Sequence, residues 1–377
     1  MSIKAVIGNA FGDEGKGLVT DWLSGDHSIT VRFNGGAQAG HTVVTPEGVR
    51  HVFHHFGSGT LRGAETYLSR FFACDPVSFV KERDELVKKG VEPVVAVDPM
   101  CPVVTPYDVL VNQITEKFRN KSRHGSCGCG FGETMRRQEE TPYKLVVADL
   151  DSPFLAYKLE AIRIAARNEL ANRGVFGGID VAAADRDFDK CYAMFMAHVP
   201  DFLENVRLEN FEQIRQLPLV FEGAQGLLLD REMGVFPYVT RSKTGLVNVH
   251  KLLGDEDFAR VNVYFVSRCY MTRHGAGPMR DEQRSGPEDW TNVKNPWQGT
   301  LRFGAYDPKL LEWARNYALA EVPSLNRPPK IVTTCLDQME DLIPVVGGVE
   351  MKKSDIVRAS DCISVGPTRD DIRWMEK

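Results

Sequence analysis

No stretch of this 377-residue sequence runs for the roughly 20 consecutive apolar residues of a membrane helix, so no membrane partner is expected. A basic surplus is lacking too. Lysine and arginine total 46 against 51 acidic residues, a formal net charge of −5, which excludes the electrostatic footprint of a duplex binder and leaves nucleic acid out of the expected partners. The eight cysteines, at positions 74, 101, 127, 129, 191, 269, 335 and 362, are too scattered for a disulfide framework and read as reduced thiols. Only Cys127-Gly128-Cys129, with His124 nearby, resembles a metal cluster; it lacks a fourth ligand, and a plain glycine-rich loop is expected over zinc. Repeats, low-complexity tracts and long linkers are absent, and the opening residues run straight into a strand pattern without signal-peptide architecture. A cytoplasmic protein is the expectation.

What is present is a chain with 43% hydrophobic residues, long enough to bury a large core, with glycine and proline spread among short apolar runs. An apolar run at 4–7, a loop at 8–15 and an amphipathic stretch at 16–23 form a strand, loop and helix. A second strand at 29–33 leads into another glycine-rich loop at 34–42. Further strands are expected at 93–97, 145–147, 217–221, 261–266 and 330–334, and helices at 77–89, 154–173, 187–196 and 308–319. This alternation predicts an α/β fold, a single large domain over 1–377 with a central, mostly parallel β-sheet flanked by helices. Ligand groups then gather at the carboxyl ends of the strands.

The first loop, Gly8-Asn9-Ala10-Phe11-Gly12-Asp13-Glu14-Gly15-Lys16-Gly17, can hold phosphate oxygens on backbone N–H groups and the helix N-terminus, with Lys16 adding a mobile positive charge. It is not a Walker A loop. Ala10 stands where the leading glycine belongs, and Gly17 replaces the hydroxyl residue that would hold magnesium. Asp13 can take that metal or act as a base. The second loop, Gly35-Gly36-Ala37-Gln38-Ala39-Gly40-His41-Thr42, sets a titratable imidazole beside glycines that permit close approach to a ligand.

These two loops, with Arg32-Phe33-Asn34 leading into the second, resemble the opening of the adenylosuccinate synthetases. Phe221-Glu222-Gly223-Ala224-Gln225-Gly226, Pro237-Tyr238-Val239-Thr240 and Arg273-His274-Gly275-Ala276-Gly277-Pro278 resemble that family's later motifs in order and rough spacing. The resemblance implies a P-loop-related fold, Mg2+ as cofactor and three small-molecule substrates: a purine monophosphate, L-aspartate and a nucleoside triphosphate. It implies that Asp13 removes the N1 proton and ligates magnesium together with the Gly40 carbonyl. His41 then assists phosphoryl transfer to O6 as a general acid, Lys16 stabilises phosphoryl charge, and Gln225 steadies the base near O6. Gly12, Glu14, Gly15, Gly17, Gly40 and Thr42 fall on the triphosphate, with Asp337, Gly366 and Pro367 near its base. Asn34, Gln38, Ser126, Cys127, Arg137, Thr240 and His274 fall on the acceptor nucleotide. Family members work as homodimers and borrow an arginine across the interface, for which Arg136 or Arg137 is the candidate here.

Departures from the family pattern bear on substrate. The run of four arginines that serves aspartate and the ribose hydroxyl is replaced by Trp297-Gln298-Gly299-Thr300-Leu301-Arg302-Phe303-Gly304. Gly299, Thr300 and Arg302 remain to hold aspartate, while the arginine facing the 2′-hydroxyl is lost. Gln38 replaces an asparagine. These features are similar to the phage and archaeal branch that joins aspartate to dGMP, although Asp13, changed to serine in some members of that branch, is retained. The donor motif appears as Thr334-Cys335-Leu336-Asp337 without its lysine, which favours ATP or dATP over GTP. The alternatives are an IMP- and GTP-using enzyme of AMP synthesis, a nucleotide-binding regulator without ligation chemistry, and a P-loop motor or transport ATPase, the last disfavoured by the broken Walker pattern.

Overall fold

The computed structural model describes residues 2–120, 123–175, 181–289, 291–292, 294 and 297–376. A ten-stranded sheet forms the centre, in the spatial order Ile372–Trp374, Cys362–Ser364, Lys330–Thr334, Asn262–Arg268, Ile3–Gly8, Leu219–Gly226, Ile29–Arg32, Glu65–Leu68, Val95–Val97 and Arg207–Leu208. All neighbours pair parallel except the last-formed edge strand, Ile372–Trp374, which runs antiparallel to Cys362–Ser364. The α/β expectation holds.

The strand pattern follows from burial on both faces. Ile3, Ala5 and Ile7 pack into one apolar cluster with Val31, Phe221 and Phe265, while Val6 turns to the opposite cluster with Leu18, Val19, Val220 and Val332. Alternation along one strand thus feeds two cores, which is why the run reads as continuously hydrophobic. Helix starts are cut by capping residues set before proline. Asp75 accepts from the Val77 N–H at 3.1 Å ahead of Pro76–Lys88, and Asp307 accepts from the Leu310 N–H at 3.1 Å ahead of Pro308–Ala320.

Several elements differ from the sequence reading. Residues 145–147 are not a strand. They make one antiparallel bridge, Pro102 with Val146, and then enter a 3-10 turn at Val147–Asp149. Proline has no N–H to extend such a ladder, so the segment stops at two backbone bonds, Val103 N–H to Leu145 and Val147 N–H to Cys101. Part of the second loop is a hairpin, His41–Val44 with Arg50–Phe53. The helices Pro106–Arg119, Phe131–Glu140 and Val247–Phe258 and the strand Glu65–Leu68 were not anticipated.

Arg137 is placed inside the molecule. Its guanidinium grips both oxygens of Asp108 at 3.0 and 2.9 Å and also donates to the carbonyls of Val103 and Tyr143. Both side chains are 5% exposed, so the pair ties helix Pro106–Arg119 to helix Phe131–Glu140. This corrects Arg137 as an acceptor-binding residue, since each of its three guanidinium nitrogens already donates inside the molecule. Replacing Asp108 with alanine leaves a buried unpaired charge and is expected to cost about 3–5 kcal/mol in urea unfolding, with little effect on the chemistry of any enzyme that still folds.

Candidate active site

The parallel strands bring their carboxyl ends to one edge. Val6 is in register with Glu222, Arg32 with Glu222, Gly8 with Val266 and Thr334 with Arg268. The segments that follow Gly8, Arg32, Gly226, Arg268 and Thr334 therefore leave the sheet on the same side.

The first loop winds through left-handed backbone at Gly12 (φ 94°), Asp13 (φ 63°) and Gly15 (φ 90°) before helix Lys16–Leu23 begins. Glu14 lies inside this turn. One oxygen accepts from the N–H groups of Ala10 (3.0 Å) and Gly12 (2.9 Å), and the other takes Lys16 Nζ at 2.5 Å. Those donors are the anion-binding equipment of the loop, occupied here by its own carboxylate. Glu14, 1% exposed, is therefore a loop organiser rather than a direct nucleotide contact. Thr334 fastens the turn from the neighbouring strand by donating to the Glu14 carbonyl at 2.7 Å.

Asp13 and Gln225, the only two assigned chemical side chains with positive φ, belong to adjacent loops. Left-handed backbone is uncommon for residues with side chains and recurs where a site over-determines it. A Cβ on Gly12 would lie 3.9 Å from Gln225 Oε1, which sets the amide beside the first loop. Asp13 Oδ2 stands 3.5 Å from His274 Nε2, and its carbonyl accepts from Arg268 at 2.5 Å.

His41 is buried and joins Glu222 through Nδ1 at 2.8 Å. Glu222 also accepts from the Ser58 N–H at 3.0 Å and from the Ser58 hydroxyl, and faces Arg32 at 3.9 Å. Burial alone would raise the Glu222 carboxyl, yet His41, Arg32 and Ser58 outweigh it and hold it at about 2. Burial pushes His41 below its ordinary value, with Glu222 pulling the other way. Nδ1 is the ring atom that faces Glu222, which leaves Nε2 as the working atom. Gly17 permits this approach, because a Cβ there would meet His41 Cβ and the Ser58 hydroxyl at 3.1 Å.

The assigned acceptor residues divide by what they already hold. Asn34 spends its whole amide on Ala224 (N–H and carbonyl) and the Lys243 carbonyl, making it a strut between loops. Gln38, by contrast, has both amide atoms buried without a partner among the described residues, as has the Thr42 hydroxyl. Ser126 accepts from Asn112 at 2.8 Å. Its loop abuts residues 275–276, where a Cβ on Gly125 would lie 2.9 Å from the Ala276 nitrogen. Cys127 and Cys129 are free thiols in this turn, and among the described residues no group of three or more His, Cys, Asp or Glu side chains is placed to hold a metal. Thr240 hydrogen-bonds through its N–H to Leu229.

Arg302 is engaged. Its fork grips Glu282, with Nε at 2.8 Å and Nη2 at 2.5 Å, while Nη1 donates to the carbonyls of Gly275 and Gly277 at 3.0 Å. Glu282 thus stands where a ligand carboxylate would bind, and Arg302 is available to aspartate only by exchange. Gly299 and Thr300 lie just before this strand in a turn. Asp337, exposed, and Gly366 and Pro367 follow the ends of the adjacent parallel strands Lys330–Thr334 and Cys362–Ser364.

Sequence reasoning missed Glu222, Ser58, Arg268, Asp289 and Asn292. Glu222 carried a signal, a carboxylate at the end of a predicted strand inside a recognised motif; Asp289 and Asn292 lie in a polar segment without periodicity. A cavity of about 190 Å³ beside Asp108 and Arg137 lies among helices and is lined by none of these loops.

Sheet and edge together define an α/β protein with its candidate site at the carboxyl ends of parallel strands. The adenylosuccinate synthetase family model matches residues 5–304. The adenylosuccinate synthetase of Acetivibrio thermocellus is 31% identical over 347 residues, 88% of this chain and 80% of its own length, and that of Vibrio vulnificus is 29% identical over 369 residues, 94% and 82%. The fully ligated adenylosuccinate synthetase from Plasmodium falciparum superposes with a TM-score of 0.74 at 18% identity, covering 100% of both chains. The cyanophage S-2L succinoaminodeoxyadenylate synthetase, bound to dGMP and to dATP as an energy donor, gives 0.65 at 15%, covering 100% of this chain and 96% of that one. The chain belongs to the adenylosuccinate synthetase family, a group of carbon–nitrogen ligases. No helix among the described residues is long and apolar enough to cross a membrane.

Proposed function

We propose that this ligase joins L-aspartate to dGMP, using ATP or dATP, to give 2-amino-2′-deoxyadenylosuccinate. The observation that carries the acceptor is the rebuilt loop ahead of strand Arg302–Gly304. It retains a single arginine, tied to Glu282, and offers none to a ribose 2′-hydroxyl. The cyanophage enzyme bound to dGMP and dATP has the same fold, so the fold admits this chemistry. A second reading, IMP with GTP, is favoured by the names of the relatives by sequence.

A purine 6-oxo group is amide-like and leaves poorly, so its oxygen must be phosphorylated before an amine can displace it. Asp13 accepts the N1 proton, which turns O6 into a nucleophile for the γ-phosphorus. His41, steadied by Glu222, faces the transferring phosphoryl group; the charge of a triphosphate would restore the proton affinity that burial removes. Lys16 exchanges Glu14 for phosphate oxygens, and Gln225 holds the O6 edge. The amine of aspartate then attacks C6 and phosphate departs.

The Asp13 carboxylate and Gly40 carbonyl are hard oxygen donors that suit Mg2+, an ion normally held by one or two carboxylates plus substrate phosphates rather than by a protein cage. When bound, it would neutralise charge on those phosphates. A homodimer belongs to the same proposal, with Arg136, paired to Glu133 and Glu169 on the helix surface, as the arginine left to reach a neighbour.

Assaying aspartate-dependent phosphate release with dGMP, GMP, dIMP and IMP, each with ATP and with GTP, tests the assignment. Turnover confined to IMP with GTP would refute the acceptor and donor while sparing the family. Arg302→Ala is expected to raise the KM for aspartate by about 10-fold or more with a smaller change in the KM for the nucleotide, read from initial rates at varied aspartate. An unchanged aspartate dependence would mean that another residue holds the carboxylates.

A further inference from the structure

We infer that His274 is the residue that reads the purine C2 position, accepting a hydrogen bond from the guanine amine at Nδ1. The inference rests on the guanine-acceptor reading above and deepens it.

The imidazole is held in one place. It follows strand Met271–Arg273, whose buried Arg273 is pinned to the carbonyls of Ala276 (3.1 Å), Pro278 (2.9 Å) and Tyr238 (3.1 Å) and lies over the Phe11 ring. Its Nε2 faces two oxygens, Asn292 Oδ1 at 3.2 Å and Asp13 Oδ2 at 3.5 Å. The orientation of Asn292 is itself determined, because its Nδ2 donates to Asp289 Oδ2 at 2.9 Å and the amide oxygen must then face the ring. Asp289 is anchored in turn by Arg268 at 3.1 Å and by the N–H groups of Thr291 (2.9 Å) and Asn292 (3.0 Å).

Hydrogen-bond direction follows from this chain of contacts. An Nε2 flanked by two acceptors carries the proton, and no acceptor among the described residues faces Nδ1 to hold a second one, so Nδ1 presents its lone pair. That atom is shielded from solvent and has no partner among the described residues. A buried acceptor without a donor is costly, and a ligand that supplies one gains by it.

The purine supplies the donor at the right place. N1 has two neighbours, C6 with its oxygen and C2 with its substituent. Asp13 takes the N1 proton and Gln225 the O6 side, which leaves the ring touching Asp13 for the C2 side. Guanine offers an N–H there. Hypoxanthine offers only C–H and leaves Nδ1 unpaired, while xanthine sets a carbonyl oxygen against the lone pair. A site built around a buried polar partner rejects the analogue that lacks it.

The test is kcat/KM of the full-length enzyme for dGMP, dIMP and dXMP at saturating aspartate and triphosphate. The wild type is expected to favour dGMP over dIMP by about 5- to 150-fold and to use dXMP least. H274V removes the acceptor and should bring the dGMP to dIMP ratio close to one, chiefly by raising the KM for dGMP. H274N, whose amide oxygen can stand where Nδ1 stands, should keep the guanine preference; H274Q, which mimics the Nε2 side, should lose it. A wild-type ratio retained in H274V, or a wild type without guanine preference, overturns the assignment. If H274V is inactive with both acceptors, the order of H274N and H274Q decides, and equal ratios overturn it. Absence of aspartate-dependent turnover with any purine monophosphate in the wild type would instead sink the ligase reading itself.

Discussion

Asp13→Asn is expected to lower aspartate-dependent phosphate release by about 10³-fold or more while leaving the fold intact. General-base catalysis alone is worth roughly 10²–10⁴-fold, and in the proposed scheme the same carboxylate also meets the metal. Asparagine is the informative replacement because the residue sits at φ 63°, a conformation that asparagine and aspartate tolerate better than alanine. The loop's internal bonds run through Glu14 and the Asp13 carbonyl rather than the Asp13 side chain, so a thermal melt should move little. Near-normal turnover in this variant would remove Asp13 from the chemistry.

Glu222→Gln is the second large effect. The amide still accepts from one donor but no longer carries the charge that offsets Arg32 and orients His41. A fall in kcat of about 10²-fold is expected, with KM for aspartate little changed, because the group acts through His41 and touches no carboxylate of the substrate. Stability falls as well, by about 3 kcal/mol, since Arg32 is left in a fully buried position without its nearest counter-charge. The pH dependence has a definite sign. With its pKa depressed from 4.5 to about 2, Glu222 contributes stability that is fully present above the ordinary carboxyl value and is lost as pH falls through about 2. Acid unfolding followed by circular dichroism should therefore be shallower in E222Q over that interval. An unchanged kcat with a lowered melting temperature would show Glu222 to be structural only.

The same two residues show how far linear order reaches. Asp13 was legible because its loop is contiguous: glycines, a carboxylate and a lysine follow one another between an apolar run and a helix, and local sterics dictate the turn. Glu222 was visible only as part of a motif, since its partners come from strand Ile29–Arg32, the 41–44 hairpin strand and the turn at Ser58. Arg137 marks the opposite failure. A charged residue after a glycine-rich loop reads as a solvent-facing group, and only the packing of two helices reveals that Asp108 had claimed it. Glu14 and Arg302 were assigned to ligands through the family resemblance, whereas the folded chain supplies internal partners for both. The strand expected at 145–147 failed because its neighbour presents Pro102, which has no N–H to extend the ladder and which no pattern local to 145–147 reports.

Local chemistry settled the α/β character and singled out the glycine-rich turn, the candidate carboxylate and the candidate imidazole, because each depends on residues a few positions apart. Folding settled the rest. Ion-pair partners and the alignment of Asp289, Asn292 and His274 beside Asp13 depend on groups distant in the sequence, and hydrogen-bond direction exists only once they meet across the edge of the sheet.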